Sequence, residues 1–286
     1  MANGNWATRS VCYSDMEQFA RDTPTEANRW IFHPGRSNRF IPGCAYHCCN
    51  GSNSIDKKGG KKLMGVTKTD FMRGMQCPKM LWLDAHKREE RIIPPEVQAR
   101  LDKGNEFGDG AMGLFGSYVE VTTYKENGWL DYAAMIEKTK VCLEDGTAVI
   151  CEGSFSNYGN YCAVDILRKV DGGYEMYEVK DSPTVEEQFI KDVAFQRYLA
   201  LRCGVKITKC FIVYHSNDDE QPYEIEDVTA KAKEYSRWVD ENIWRLAKLK
   251  KHDKEPIVLM GEQCNCPYEC WYKKYCTNYE NTCDTV

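Results

Sequence analysis

The sequence predicts an α/β (or α+β) protein with a mixed central sheet flanked by helices. Three observations support this class. Strands and helices alternate in blocks after residue 64, which is the pattern of a layered domain built from both element types. Three strand-like stretches follow one another across two tight turns between residues 147 and 180. A strongly helical stretch and a further strand-like stretch come next, so we expect a helix to pack on this sheet.

The composition of the 286-residue chain is that of a globular protein, with 42% hydrophobic and 28% charged residues. Its net charge of -5 argues mildly against a nucleic-acid binder with an overall basic surface, but not against a local basic patch. No apolar run is long enough to span a membrane, and the N-terminus lacks the features of a secretory signal. We therefore expect a cytoplasmic protein whose 15 cysteines stay reduced, which favours a metal or cluster site.

Residues 1–63 differ from the rest of the chain, and we predict that they lie outside the domain formed by residues 64–286. They contain turn-forming pairs and scattered aromatics with little periodicity. They end in a polar run, residues 56–62, which is typical of a turn or linker. The reverse translation of this run can contain a ribosome-binding sequence, so translation could start at Met64 instead. Three cysteines of the segment are weaker metal-ligand candidates, because no second pair at zinc-finger spacing accompanies them; they are Cys44, Cys48 and Cys49.

Element signals begin at Met64. The first helix starts near Thr69-Asp70 and is interrupted or kinked at Cys77-Pro78, because proline lacks the amide hydrogen that a helix interior uses. Pro94-Pro95 opens a second helix. Its apolar markers are Val97, Leu101 and Phe107. The remaining predictions are strands at 117–121, 147–155, 160–169, 174–180 and 207–215, and helices at 131–143, 185–203 and 229–250.

The helix over residues 185–203 has clear end signals. Thr184 and Glu187 form a capping-box pattern at its start, and Gly204 ends it. By helical spacing, Gln196 falls on an apolar stripe that faces the core. The other members of the stripe are Phe189, Val193 and Ala200. A buried amide needs a hydrogen-bond partner, so Gln196 is either an ordinary core amide or part of a site.

The second hairpin brings a carboxylate pair together. Asp171-Gly172 is a favoured two-residue hairpin loop, and with that loop Asp165 lies opposite Glu178. Lys180 lies on the same face as Glu178, because side chains alternate along a strand. A three-residue loop would break this alignment. The sequence therefore predicts that Asp165, Glu178 and Lys180 share one face of the sheet.

The first hairpin extends this pair into a row. A loop centred on Tyr158-Gly159 pairs Glu152 with Asp165, and a four-residue loop over 157–160 gives the same pairing. Opposed carboxylates on adjacent strands lie about 4.5–5.5 Å apart at Cβ and repel one another. Removing one of them should therefore relieve repulsion. The row indicates a hard cation with oxygen ligands, Mg²⁺ or Mn²⁺, unless it is only an exposed acidic face.

These residues carry a family resemblance. Asp165, a short hairpin and then Glu178-Val179-Lys180 resemble the D…ExK signature of PD-(D/E)xK nucleases, and Gln196 sits where RecB-like members carry a Q-containing motif. Residues 67–83 resemble the opening of RecB-like nucleases related to the CRISPR-associated exonuclease family and to AddB. The resemblance covers residues 66–276. It implies a metal-dependent DNA exonuclease acting on single strands or ends. The implied catalytic residues are Asp165, Glu178, Lys180 and Gln196, with Glu152 as a further metal ligand.

The resemblance also implies an iron–sulfur cluster that clasps the two ends of the domain. In that group the first cysteine lies near the start of the domain, and three more lie at its end. Here Cys77 would join Cys264, Cys270 and Cys276, which have the spacing C-x5-C-x5-C, as the four thiolates of a [4Fe–4S] cluster. Cys266 could replace Cys264. The number of thiolates alone would equally suit structural zinc.

One position departs from the family pattern. Many RecB-like nucleases carry a metal-binding histidine on the helix before the core, where this chain has Asn105, and Glu106 is a possible substitute. A non-catalytic DNA-binding or assembly module, working with repair proteins or with nucleases and integrases of CRISPR adaptation, is therefore the alternative function. Basic residues that could contact DNA, or form only solvated faces, are Arg73, Lys79, Lys87, Arg88, Arg91, Arg245, Lys248, Lys250 and Lys251.

Overall fold

The computed structural model describes residues 65–218 and 221–283. The predicted N-terminal extension, with its three cysteines and the alternative start at Met64, lies outside the described residues. Within those residues, no helix combines the length and apolarity that crossing a membrane requires.

The centre of the domain is a six-stranded sheet whose strands lie side by side in chain order. The first and second strands are parallel, as are the fourth and fifth, and the other neighbours are antiparallel. The predicted mixed sheet is therefore confirmed. The last strand, which is short and acidic, was not predicted. The strands are β1 (Val119–Glu120), β2 (Val149–Asn157), β3 (Asn160–Val170), β4 (Gly173–Val179), β5 (Ile207–Asp218) and β6 (Gln221–Asp227).

Eight α-helices surround the sheet in the described part of the chain. The predicted helix over 229–250 is two helices, because the chain breaks at Tyr235. The helices are α1 (Lys68–Gln76), α2 (Pro78–His86), α3 (Pro95–Ala111), α4 (Tyr132–Asp145), α5 (Glu187–Arg202), α6 (Thr229–Glu234), α7 (Ser236–Leu249) and α8 (Lys273–Cys283). Short 3₁₀ turns occupy Arg88–Glu90, Met112–Phe115 and Glu262–Cys264.

Helix α1 begins with a reciprocal cap. The Thr67 hydroxyl accepts the Asp70 amide at 3.1 Å, and the Asp70 carboxylate accepts the Thr67 amide at 2.9 Å. The helix thus begins slightly earlier than predicted. It ends as expected, because Cys77 is extended and Pro78 starts α2.

The start of α5 corrects one prediction. Thr184 and Glu187 do not form a capping box, since the helix begins at Glu187 and its cap residue, Glu186, makes no side-chain cap bond. The Ser182 hydroxyl instead donates to the Thr184 carbonyl at 2.9 Å and holds the chain in a turn. The Glu187 carboxylate pairs with Lys191 one turn along α5. The helix ends as predicted, with Gly204 at a φ of 84°.

The main core lies between the sheet and α5. The predicted stripe of α5 is buried, with Val193 and Gln196 fully inaccessible to solvent. Trp82, on α2, is also buried. Leu101 on α3 is 41% exposed and is not the core marker that was predicted. A smaller apolar cluster covers the other side of the sheet beside the end of α3 and includes Ala111, Ile166, Tyr177 and Val213.

Candidate active site

The hairpin of β3 and β4 has the predicted register. Val170 pairs with Gly173 across the two-residue turn, and the ladder continues to Ile166 and Tyr177. The next positions in that register are Asp165 and Glu178. The amide of Val179 donates to Asp165 Oδ2 at 2.6 Å, which ties the Asp165 carboxylate to β4.

The hairpin of β2 and β3 places Glu152 beside Asp165. Its ladder pairs Cys151 with Ile166 and Gly153 with Val164, so Glu152 falls opposite Asp165. The predicted row across three strands is therefore confirmed as a register. Glu152 has a φ of 59°, a conformation that is uncommon for a residue with a side chain and often marks functional sites.

The row opens on a cavity of about 800 Å³. The cavity is strongly acidic, since five carboxylates and two lysines line it. The lining residues with charge are Asp109, Glu120, Glu152, Asp165, Glu178, Lys68 and Lys180. Thus the structure brings together the three predicted metal ligands and the predicted catalytic lysine.

Glu178 is the most heavily bonded of these carboxylates. Lys68 Nζ and Lys180 Nζ each lie 2.7 Å from its Oε1, and the amide of Gln196 donates to its Oε2. Burial alone would raise the pKa of Glu178. The two ammonium groups and the Gln196 bond outweigh burial and hold that pKa below its usual range.

Asp165 behaves in the opposite way. Burial, and then the negative charge of Glu178, raise the pKa of Asp165 to about 7, and Lys68 offsets only part of this. Glu152 adds a further like charge, and burial raises its own pKa as well. The row therefore holds more negative charge than the two lysines neutralise, which is the electrostatic setting in which a bound cation is stabilising.

Lys68 and Asp192 were both missed by sequence reasoning. Lys68, the first residue of α1, reaches Glu178 although the two are 110 residues apart in the chain. Asp192, on α5, lies 2.6 Å from Lys180 Nζ. No spacing signal links Lys68 to Glu178. For Asp192 a signal existed, because it lies one helical turn before Gln196 and so shares its face.

Gln196 is tied to the site rather than being an ordinary core amide. It is fully buried and donates to Glu178. Its carbonyl oxygen Oε1 has no hydrogen-bond partner within the described residues. The Gln196 amide is therefore positioned to bind the Glu178 carboxylate. Its unpaired carbonyl oxygen destabilises the core.

Helix α3 contributes a different acid from the one expected. Asn105 lines the cavity, as the family pattern predicts for that position, but Glu106 does not. Asp109 lines it instead, because residues four apart share one face of a helix. Asp109, and not Glu106, is therefore the carboxylate of α3 that faces the row.

The four predicted cluster cysteines line one small cavity between the start of α2 and the C-terminal segment. All four are buried, and they are Cys77, Cys264, Cys270 and Cys276. Cys266 does not line this cavity. The geometry thus favours Cys264 over Cys266 as a member of the set.

The environment of the thiols is mixed. Burial raises the pKa of the Cys77 thiol, while backbone hydrogen bonds from Met80 and Lys79 at the start of α2 oppose it. The amide of Tyr272 donates to Cys270 Sγ at 3.5 Å. The cavity between the sulfurs is about 10 Å³, room for about one water-sized sphere. Across the described part of the chain, no group of three or more His, Cys, Asp or Glu side chains is arranged so that it could hold a metal ion.

Two of the predicted DNA-contacting residues, Lys79 and Arg73, contact the C-terminal segment instead. Lys79 is 2% exposed and pairs with Glu255 at 3.0 Å, so it cannot reach a phosphate. Arg73 pairs with Asp84 and stacks on Trp271, with its guanidinium 4.1 Å from the ring centre. These cations attach the cysteine segment to α1 and α2.

Comparisons with known proteins give limited information. No protein-family model matches the chain, and no curated protein matches it. Among solved structures, the chain is similar to an alkaline exonuclease from Laribacter hongkongensis, with a TM-score of 0.35 and 15% sequence identity. That alignment covers 66% of this chain and 93% of the other. A TM-score at this level does not assign a fold or an activity.

Proposed function

We propose that the chain is a Mg²⁺- or Mn²⁺-dependent deoxyribonuclease, acting as an exonuclease on single strands or DNA ends. One observation carries this proposal. Asp165 and Glu178 lie opposite each other on adjacent strands and line one cavity together with Lys180. A paired, partly buried set of carboxylates beside a lysine is suited to binding a divalent ion and a phosphate.

The residues fit a hard divalent ion. Their donors are carboxylate oxygens, and burial, followed by the negative charge of Glu178, raises the pKa of Asp165. Asp165 and Glu178 would hold the ion, with Glu152 as a further ligand and Asp109 facing them from α3. When bound, such an ion polarises the scissile phosphate and lowers the pKa of its bound water.

The other residues prepare the site. Lys180 is fixed between Glu178 and Asp192, so its ammonium group is positioned to orient the attacking water or to stabilise the negative charge that develops on the phosphate. Gln196 fixes Glu178 from the core side. Lys68 supplies a second positive charge at Glu178 and limits the repulsion within the row.

We also propose that Cys77, Cys264, Cys270 and Cys276 hold a metal centre. The family resemblance implies a [4Fe–4S] cluster, and zinc is the alternative that the small cavity accommodates with less displacement. The backbone amides at the start of α2 and the Tyr272 amide would donate to the sulfurs. A brown protein with visible absorption that dithionite bleaches supports the cluster. A colourless protein with one zinc per chain supports zinc.

A cleavage assay tests the nuclease proposal. The full chain, purified anaerobically, is incubated with end-labelled single-stranded and duplex DNA in Mg²⁺ and in Mn²⁺, with and without a chelator. We expect ion-dependent cleavage by the parent and none by Asp165→Ala. If a folded parent with an intact cysteine centre cuts neither DNA in either ion, the proposal fails.

Two observations favour the second candidate, a non-catalytic DNA-binding or assembly module in a nuclease or integrase complex. Both oxygens of Glu178 are already engaged by protein groups, and Asn105 stands where a histidine ligand is expected. Calorimetric titration with Mn²⁺ separates the candidates. Absence of binding that depends on Asp165 would favour the module.

A further inference from the structure

One side of the carboxylate cavity is built from aromatic residues that the proposed chemistry does not use. Tyr124, Tyr132 and Tyr161 line the same cavity as Asp165 and Glu178. We call these three residues the tyrosine wall. Tyr124 is 65% exposed and Tyr132 is 49% exposed, so about half or more of each residue is accessible to a ligand.

An ordered hairpin presents Tyr124. The amide of Lys125 donates to the Trp129 carbonyl at 2.8 Å, and the amide of Asp131 donates to the Thr123 carbonyl at 2.8 Å. Tyr124 forms an antiparallel bridge with Leu130, which also lines the cavity. The ring is therefore held at the cavity by backbone structure, although its side chain is exposed.

The rest of the wall is held from below. Tyr132 is the first residue of α4, which Asp131 caps through the amide of Ala134. Its ring lies 4.6 Å from that of Tyr161 in an edge-on arrangement. The Tyr161 hydroxyl lies 2.9 Å from Ser154 Oγ on the neighbouring strand. These contacts fix the rings without covering their outer faces.

The charge of the cavity limits what could bind there. The chain carries a net charge of -5, and carboxylates outnumber lysines in the cavity lining. Attraction to phosphates, which supplies most of the affinity of basic DNA-binding proteins, is therefore weak here. Stacking of bases on aromatic rings does not depend on charge.

We propose that the tyrosine wall binds unpaired bases of a DNA strand whose phosphate lies at the carboxylate row; this inference rests on the proposed function. Tyr161 and Asp165 lie on the same face of β3, about 13 Å apart at about 3.3 Å per residue. Stacked DNA advances about 3.4 Å per nucleotide. The wall thus meets bases within about four nucleotides of the reacting phosphate. Inside a duplex the faces of each base are covered by the neighbouring bases of the stack, so the wall selects frayed ends and single strands.

Binding to normal and abasic strands tests this inference. Fluorescence anisotropy measures binding of the full chain, without added divalent ion, to a labelled thymidylate strand and to a matched strand whose terminal nucleotides lack bases. We expect the parent to bind the normal strand about tenfold more tightly, since each stacked base contributes substantially to affinity. Tyr124→Ala and Tyr132→Ala should each lose most of that preference. The slope of log affinity against log salt should not change, because no phosphate contact is removed.

Two further variants control the experiment. Trp129→Ala removes an exposed ring of the same hairpin that does not line the cavity, and it should bind as the parent does. Tyr124→Phe keeps the ring and should also bind normally. Equal binding of normal and abasic strands, no binding of either strand, or normal base preference in both alanine variants overturns the inference.

The outcomes for the two proposals are separable. Base-dependent binding by a parent that never cleaves would remove the nuclease proposal and keep the wall. Ion-dependent cleavage with no preference for bases would do the reverse.

Discussion

The carboxylate cavity and the cysteine cavity are assembled in different ways. The carboxylate row comes from two tight hairpins within β2, β3 and β4, so neighbours in space are close in the chain. The cysteine cavity joins α2 to the C-terminal segment. There Gln76 donates to the carbonyl of Gln263, 187 residues away, at 2.8 Å. Local hydrogen-bond ladders fix the first site, whereas the second depends on long-range closure.

The two carboxylates of the row differ in how far neighbouring charges balance them. The charge of Asp165 is only partly offset, whereas two lysines more than balance the charge of Glu178. The sequence alone indicated that removing any carboxylate would relieve repulsion. The structure corrects this for Glu178, because two partly buried ammonium groups pair with it.

The largest expected effect is on cleavage, when either carboxylate is removed. The two variants should also differ from each other in stability. Asp165→Ala and Glu178→Ala should both abolish cleavage, since each removes a proposed ion ligand. Without divalent ion, Asp165→Ala should unfold no more easily than the parent. Glu178→Ala should lose roughly 3–5 kcal/mol, the range for breaking a buried ion pair. Cleavage assays and urea unfolding with a chelator measure both effects.

If Asp165→Ala and Glu178→Ala are equally stable, the two lysines do not stabilise the Glu178 carboxylate more than the Asp165 carboxylate. Glu175→Ala, on the same strand but outside the cavity lining, is the control and should keep full cleavage.

The second prediction concerns the cysteine cavity. Cys77→Ala should lose the metal centre and destabilise the whole domain by several kcal/mol, by analogy with about 4.7 kcal/mol for a disulfide that closes a 100-residue loop. Cys266→Ala is the matched control, because Cys266 does not line the cavity, and it should retain metal. Metal analysis and thermal unfolding measure the effects. Metal loss in Cys266→Ala together with retention in Cys264→Ala would overturn the ligand set.

Much of the fold was predictable because its signals are local. Asp171-Gly172 and Tyr158-Gly159 set both hairpin registers, and the register placed the acidic row. The stripe of α5 placed Gln196 correctly. Each of these inferences needed only alternation along a strand or the spacing of a helix.

The remainder depends on distant or weak signals. Lys68 reaches Glu178 only after α1 packs on the sheet, and no local pattern specifies that contact. Asp109 was missed because the family resemblance concerns the position of Asn105, and Glu106 is the acidic residue next to it in the chain. Strand β6 was missed because its alternating acidic residues leave it largely exposed. In this chain, sequence reasoning failed where a residue acts across the interface between elements.

The third prediction concerns the lysine of the proposed active site. Lys180→Ala should slow cleavage by about 10²–10³-fold, the usual cost of removing one electrostatic stabiliser. Binding of Mn²⁺ should be nearly intact, because the carboxylates remain. Single-turnover cleavage and calorimetry distinguish these quantities. Lys209→Ala, an exposed lysine on β5 paired with Asp227, should match the parent. A Lys180 variant that cuts at the parental rate would remove this lysine from the mechanism.

The smallest expected effect tests whether the two cavities are mechanically separate. Gln76 is 3% exposed, and its amide donates to the carbonyls of Gln263 and Tyr268 at 2.8 and 2.7 Å. Gln76→Ala removes both bonds and should cost about 1–3 kcal/mol, the penalty for leaving buried polar groups unpaired. The cysteine centre should then lose its metal to a chelator faster than the parent does. Cleavage measured before metal loss should be unchanged, since the hairpins that form the row are untouched.

Gln98→Ala provides the comparison for this last variant, because Gln98 is exposed and its side-chain amide donates to Asp102 on its own helix. It should alter neither metal retention nor stability. If Gln76→Ala instead slows cleavage while the metal is still bound, closure of the cysteine segment must reach the active site. Tyr268 is then the residue to examine, because the charges of Asp192 and Lys180 already influence the pKa of its hydroxyl, which burial raises to about 12. Local assembly of the carboxylate row would in that case be insufficient for activity, and the two cavities would have to be treated as one cooperative unit.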